Sequence, residues 1–375
     1  MRIVFWGTYD LGKPRNRILL RGLCAAGVDL VEIRSDVWSG VEDKGHIDGA
    51  GRKLWLLVKW LAAYPVLVWR YLRAPRHDAV FIGYMGHLDT IVLWPFAKLR
   101  GIPIVWDAFL SLYDTVVEDR RIIGRGNPLA WLLLAWEWLA CRAARLVTLD
   151  TAAHAAHFAE RYRLRPGKTA FALVGAEPEA FDAVDAHGGG DSSTVLFYGQ
   201  FIPLHGIETI VRAAQKSYGE PIRWILIGAG QEASRIRALL ARAPANVEWI
   251  EWAAYDDLRD HIARADVCLG IFGDTGKAAR VIPNKVFQIL TAGAPLITRD
   301  SPAIRELLSP EMPGVWLVPP ADPDALLGAV RAFRAHQETL RRPLHREIVT
   351  RFTPETIGAV IRSLIEKSAI KGVRQ

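Results

Sequence analysis

The sequence predicts an α/β protein of two Rossmann-like domains facing across a cleft, and three observations predict it. Short β-rich apolar runs alternate with longer helical runs from Arg2 to Val318. One glycine-serine cluster, AHGGGDSS at 186–193, divides that alternation into halves of similar size. Late in the second half, KAARVIPNKVFQILTAGAPLIT at 277–298 sets Lys277, Arg280 and Lys285 between a strand and a helix. Short strands separated by helices form parallel sheets covered on both faces. Cations beside a helix's first turn are where such a protein would hold a phosphate.

In the first half the strands are expected at Arg2–Gly7, Asp29–Ile33, Ala79–Tyr84, Ile102–Asp107 and Leu146–Asp150. In the second they are expected at Thr194–Tyr198, Arg223–Ile227, Val247–Trp252, Val267–Phe272, Pro295–Thr298 and Val315–Val318. The boundaries follow: a first domain over 1–185, a linker over 186–193, a second domain over 194–350 and a terminal segment over 351–375. In that last segment Thr353 and Glu355 form a capping pattern before an apolar face, so the helix should pack back on the first domain.

A chain of 375 residues, 51% hydrophobic and 23% charged, has ample core and is not disordered. A net charge of +7 favours an anionic partner: a nucleotide, a phospholipid surface or nucleic acid. No nucleic-acid-binding motif appears and no aromatic-basic stripe lies on the strands, so nucleic acid is the weakest of the three and is not expected. Cys24, Cys141 and Cys268 stand singly in apolar segments, without metal-ligand spacing, as thiols of a reducing compartment do. The start MRIVFWGTYD enters a strand without a signal-peptide pattern, so a cytoplasmic location is expected.

The stretch 52–76, RKLWLLVKWLAAYPVLVWRYLRAPR, holds six Lys/Arg and no acid. Lys59, Pro65 and Arg70 make it a poor transmembrane helix. Trp55, Trp60, Trp69, Lys59 and Arg70 are the residue types that settle at the headgroup level of an anionic bilayer. A core helix is the competing reading. The stretch from Pro128 to Arg145, also rich in Leu and Trp, is expected to be core. Ten of the fourteen tryptophans precede the linker, which places any membrane contact on the first domain.

Two glycine turns open the second half. Gly199 and Gly206 bracket a loop that leads into a helix, and Gly228 and Gly230 form a tight turn after the next strand. Such turns let backbone amides approach an anion. A nicotinamide cofactor would call for GxGxxG on the first turn, which reads GTYDLG instead. Among polar groups at strand carboxyl ends, His87 and Asp107 are the candidates to orient or deprotonate a hydroxyl, with a structural role close behind for each.

These motifs, in order over about 130 residues, resemble the second domain of the GT-B glycosyltransferases called glycosyl transferases group 1. The matching stretches are Gly199–Ile207, Leu226–Gly230, Ala265–Leu269, Pro283–Gln288 and Ala292–Thr298. The first half resembles the family's acceptor domain more loosely, through Gly7 and Gly12 in its first loop. The resemblance implies a nucleotide-sugar donor on the second domain, a sugar or lipid-linked acceptor on the first, retention of configuration, and neither metal nor cofactor. It places Gly228 and Gly230 by the nucleotide, Lys285 near its ribose or phosphates, and Glu306 as the acidic residue of the following helix.

The chain departs from the family pattern where the diphosphate is held. Gln200 and His205 stand where the family carries a clamping Arg and Lys, and Arg280 and Gln288 stand where it carries paired glutamates. Lys277 and Arg280 can neutralise the diphosphate, Gln288 can bond a ribose hydroxyl, and His205 can donate to phosphate. Expected is a peripheral enzyme at the cytosolic membrane face, building a polysaccharide or glycolipid. A catalytically silent scaffold and a nucleotide-sugar epimerase are the alternatives.

Overall fold

The computed structural model describes residues 1–39, 49–182 and 192–370. Most of the expected linker, 186–191, lies outside these. The chain divides into two compact units, one of residues 1–114, 123–174 and 354–375, the other of 115–122 and 175–353.

The first unit carries β1 (Arg2–Gly7), α1 (Pro14–Ala25), β2 (Asp29–Arg34), α2 (Ala50–Leu72), β3 (Ala79–Ile82), α3 (His87–Leu99), β4 (Ile104–Asp107), α4 (Pro128–Ala143), β5 (Leu146–Leu149), α5 (Ala152–Arg161) and β6 (Thr169–Phe171). Its sheet is all parallel in the order β2-β1-β3-β4-β5-β6. β3, β4 and β5 are buried along their whole length, as strands covered on both faces must be. β6 lies at the sheet edge and escaped the sequence reading, since its three residues carry no fully buried position.

The second unit carries α6 (Pro178–Phe181), β7 (Ser193–Tyr198), α7 (Ile207–Lys216), β8 (Ile222–Ile227), α8 (Ala233–Leu240), β9 (Val247–Ile250), α9 (Leu258–Arg264), β10 (Val267–Leu269), α10 (Gly276–Arg280), α11 (Asn284–Thr291), β11 (Leu296–Arg299), α12 (Pro302–Arg305), β12 (Val315–Val318), α13 (Pro323–His336) and α14 (Arg346–Val349). Its parallel order is β12-β11-β10-β7-β8-β9. Counted from β7, this is the order of a classic dinucleotide-binding sheet, with the switch point between β7 and β10. Loops after those strands part there, so the carboxyl ends of β7 and β10 are where the topology leaves a crevice.

The last helix, α15 (Pro354–Ile370), belongs to the first unit and packs on α1. Two glycines make the approach possible: a Cβ on Gly358 would lie 1.9 Å from the Gly22 carbonyl oxygen, and one on Gly22 would lie 2.2 Å from that of Pro354.

His345, just before α14, places Nε2 3.0 Å from the Ala294 carbonyl oxygen, and burial lowers its pKa to about 4. An imidazole with a folded pKa below its unfolded value near 6.5 contributes stability that is complete above pH 6.5. That contribution is lost as the pH falls toward 4, because only the unfolded chain takes up the proton. Allowing for partial exposure, the loss is about 2 kcal/mol. His345→Asn, which tolerates the φ of +68° found there, should flatten the acid limb of stability between pH 6.5 and 4 in chemical denaturation. An unchanged limb would assign it to other groups.

Candidate functional site

Three glycines shape the carboxyl end of the second unit's sheet. Gly199, Gly228 and Gly230 have φ of +137°, +142° and +148°, a region closed to other residues. They are also packed tightly. A Cβ on Gly228 would lie 2.0 Å from the Gly199 carbonyl oxygen, and one on Gly199 would lie 2.9 Å from Lys285 Nζ. The glycine turns read from the sequence therefore meet one another, and Gly199 meets the lysine of the first turn of α11.

Lys285 is 5% exposed. Its Nζ lies 3.7 Å from the centre of the Phe197 ring and has no hydrogen-bond partner among the described residues. Burial pushes its pKa well below the ordinary lysine value. A buried ammonium without hydrogen bonds is costly, and such groups are usually kept for a ligand.

Around Lys285 the remaining predicted residues take different parts. His205 is buried, and burial, then the charge of Lys285, hold its pKa well below the usual imidazole value. Its Nδ1 meets the Gln200 carbonyl oxygen, so the proton sits there and Nε2 carries a lone pair. This corrects the expectation that His205 donates to phosphate: the neutral ring has no N–H left to offer.

Gln288 is likewise corrected. Its Oε1 accepts from Tyr198 at 3.1 Å and its Nε2 donates to Tyr255 at 3.4 Å. Tyr255 in turn donates to Glu177 at 3.1 Å. At 6% exposure the amide joins α11 to β7 and α9's approach, rather than standing open to a ribose.

Lys277 in α10 donates to Thr115 Oγ1 at 2.8 Å. Arg280 ends the same helix, half-buried beside Gly276. Glu306 follows α12 and is half-buried, its carbonyl accepting from Arg351. Gln200 is exposed and accepts from Arg120 Nη2 at 3.0 Å. Arg120, Thr115 and Asp119 escaped the sequence reading. They lie in TVVEDRR, a stretch that matches no motif and sits between β4 and α4 in the chain, yet groups with the second unit.

A cavity of 610 Å³ also opens in this unit, lined by residues including Arg120, Gly206, Arg212, Arg235, Gly273 and Thr275. Gly199, Gln200, His205, Gly228, Gly230 and Lys285 are not in its lining. It borders the same loops from the side of α7.

In the first unit both residues proposed for acid–base work are sealed. Asp107 is fully buried, taking Arg15 Nη2 at 2.8 Å and Nε at 3.0 Å, with Thr148 Oγ1 at 2.9 Å. His87 is 1% exposed and bonds Glu137 Oε1 through Nε2 at 3.0 Å. Glu137 also receives Ser111, Tyr162 and the Leu112 amide. Burial would raise its pKa, but the His87 hydrogen bond and charge hold it below the usual carboxylate range. His87 thus ties the start of α3 to α4, Asp107 ties the end of β4 to α1 and β5, and both side chains are buried.

The Gly7–Gly12 loop is also closed on itself. Asp89 Oδ2 accepts from the Thr8 amide at 2.9 Å, and a Cβ on Gly7 would lie 2.3 Å from that oxygen. The group seated against this loop is the protein's own Asp89 carboxyl, whose pKa burial raises. Gly12 is exposed, its amide bonded to Asp10.

The stretch at 52–76 gives α2, whose outer face leaves Trp55 59% and Trp69 53% exposed. Trp60 faces inward and donates to Thr8 Oγ1 at 3.0 Å, which removes it from the surface set. Lys59 lies 5.4 Å from the Trp55 ring, and Arg70 donates to the Arg34 carbonyl. α4 departs from the expected core helix. It buries Ala130, Glu137, Ala140 and Cys141 but exposes Leu129, Trp131, Leu132, Trp138 and Leu139. α3 packs against both helices and exposes Trp94. Among the described residues no helix is long and apolar enough to cross a membrane.

Comparison with known proteins agrees with this geometry. Residues 192–335 match the family model described as glycosyl transferases group 1. The matched stretch lies in the second unit and takes in its whole parallel sheet. It holds the second-half motifs behind the sequence resemblance, whereas Gly7 and Gly12 lie outside it. A putative colanic acid biosynthesis glycosyl transferase of Escherichia coli K12, WcaI, is 24% identical over 176 residues. The match spans 46% of this chain and 42% of that protein's length. Sucrose-phosphate synthase from Thermosynechococcus elongatus superposes with a TM-score of 0.70 at 19% identity, over 98% of both chains. Anabaena HepE, solved in complex with UDP and glucose, gives 0.65 at 14% identity, over 98% of this chain and 100% of the other. The structural likenesses extend the shared fold beyond the group 1 domain to almost the whole chain.

Proposed function

We propose that this chain is a glycosyltransferase that moves a sugar from a nucleotide-sugar donor to the hydroxyl of a lipid-linked acceptor at a membrane surface, with retention of configuration. The observation that carries the donor half is Lys285: a buried side-chain nitrogen without a hydrogen-bond partner among the described residues, against the Gly199 turn that ends β7 at the sheet's switch point. In such a transfer the leaving group is a nucleoside diphosphate, and charge grows on its β-phosphate oxygen as the glycosidic bond breaks. Fixed cations stabilise that charge without taking a proton. Lys285 fits the task, because a bound phosphate would supply the acceptor its ammonium lacks and favour its charged form.

The acceptor half rests on α2, α3 and α4, which present five tryptophans at 40% exposure or more, Trp55, Trp69, Trp94, Trp131 and Trp138. Lys59, Arg73, Lys98 and Arg142 lie beside four of those rings. Indoles and cations so arranged suit the headgroup layer of an anionic bilayer. WcaI, by its name, serves colanic acid biosynthesis, and HepE was solved with UDP and glucose, which fits an anionic sugar donor here.

Incubation with a panel of UDP-, GDP-, ADP- and dTDP-sugars, read by mass spectrometry, tests the donor half. Slow release of one nucleoside diphosphate above the others is expected. A chain that releases none, and whose melting temperature none of the diphosphates raises, would be a silent scaffold. The engaged Gln288 amide, in place of a family glutamate, is the observation that favours that second reading.

A further inference from the structure

The glycine loop after β7 lacks the clamping arginine of the family motif, since Gln200 stands there. Another guanidinium is in contact with that position. Arg120 donates from Nη2 to Gln200 Oε1 at 3.0 Å, and its carbonyl accepts from Gln231 Nε2, just past the Gly228–Gly230 turn, at 2.9 Å. Residues 115–122 are tied down at two points just before it. Lys277 Nζ bonds Thr115 Oγ1 at 2.8 Å, and Thr275 Oγ1 donates to Asp119 Oδ1 at 2.8 Å. The segment therefore holds Arg120 against the loops after β7 and β8, with α10 as its anchor.

What Arg120 lacks is an acceptor worthy of its charge. Its Nε is buried without a hydrogen-bond partner among the described residues, and the Gln200 amide oxygen is neutral. A guanidinium has five N–H donors in a planar fork suited to phosphate. Nearby, Lys285 is a second cation with no acceptor, 5% exposed. Lys285, Arg120 and Lys277 all bear electrostatically on His205, the residue at the motif's other clamp position.

We infer that Arg120 supplies the guanidinium clamp on the donor's diphosphate that the glycine loop itself lacks. The residue is carried by 115–122 instead of by the loop after β7, and Gln200 orients it. This rests on the donor reading above. It assigns the lost arginine's work to a residue that no family motif contains.

Calorimetric titration of the full chain with UDP, GDP, ADP and dTDP, and with the matching monophosphates, tests it. Arg120→Ala should weaken the tightest diphosphate about 10- to 100-fold and the matching monophosphate much less, because one charge-assisted contact to the second phosphate is lost. Arg120→Lys should fall between, keeping charge without the fork, and covers the case in which the alanine variant fails to fold. Arg121→Ala, on the exposed neighbour, should stay within about threefold of wild type. A merely structural tether would lower the melting temperature and weaken both nucleotides alike. Wild-type diphosphate affinity in Arg120→Ala, or equal losses for mono- and diphosphate, overturns the inference and leaves the donor reading standing. A wild-type chain that binds none of the four diphosphates overturns both.

Discussion

Lys285→Met is expected to raise the melting temperature of the nucleotide-free protein by several degrees and to remove its response to nucleoside diphosphates. The two effects have one cause. Lys285 places an ammonium among Phe197, Tyr198 and the Gly199 turn with no hydrogen-bond acceptor. Methionine fills nearly the same volume without the desolvation cost. Replacing a buried charge by a well-packed apolar side chain stabilises by about 1–4 kcal/mol where it has been measured. Loss of the cation should cost the diphosphate roughly 100-fold in affinity, the upper end for one charged hydrogen bond.

The pH dependence distinguishes this account from simple repacking. The folded pKa of Lys285 lies well below 10.5, so the folded state binds fewer protons than the unfolded one between those values. Stability should therefore rise with pH across that window and be lost as pH falls through it, in wild type but not in Lys285→Met. A diphosphate should reverse the shift and draw a proton into the site on binding. Differential scanning fluorimetry of both proteins from pH 7 to 10, with and without the diphosphate, reads all of this. A variant less stable than wild type at every pH would mean that the lysine is structural.

Replacing Trp55, Trp69 and Trp131 together by serine is expected to lower binding to vesicles containing 30% phosphatidylglycerol by roughly 10- to 100-fold. These rings are 59%, 53% and 65% exposed, so their removal should leave the core of the first unit intact. Each indole that enters the headgroup layer removes apolar area from water at about 25 cal/mol per Å², and three such rings set the size of the effect. Trp60 serves as the contrast. It is half-buried and bonded to Thr8, so Trp60→Ser should cost stability instead of vesicle affinity. Sedimentation with neutral and anionic vesicles separates the contributions of the rings and of the flanking Lys59, Arg73 and Arg142. Equal pelleting of wild type and the triple variant would remove the membrane from the proposal.

Much of the fold was legible because parallel strands buried on both faces leave continuous apolar runs, as in AVFI and VTL around β3 and β5. Each of the eleven expected strands is present, and only the edge strand β6 was missed. The glycine turns and Lys285 were legible too, since no other residue type satisfies those conformations and a strand-to-helix turn is local. Roles that depend on distant partners were not. His87 and Asp107 stand at strand carboxyl ends as a site residue would, but Glu137 and Arg15 claim them from 50 and 92 residues away. A lone acid in the Leu- and Trp-rich α4 was the available signal that something cationic or polar had to meet it. Arg120 gave no signal at all: its stretch belongs to one half by sequence and groups with the other unit in space.

The central claim is that the diphosphate lies on the glycine turns, held by Lys285 and Arg120. A crystal structure with the tightest-binding nucleoside diphosphate tests it most directly. Phosphate oxygens are expected within hydrogen-bond distance of Lys285 Nζ and of the Arg120 guanidinium, with Gly199 and Gly228 beneath them. A diphosphate seated instead in the 610 Å³ cavity against Arg212 and Arg235, with Lys285 still lacking an acceptor, would contradict it.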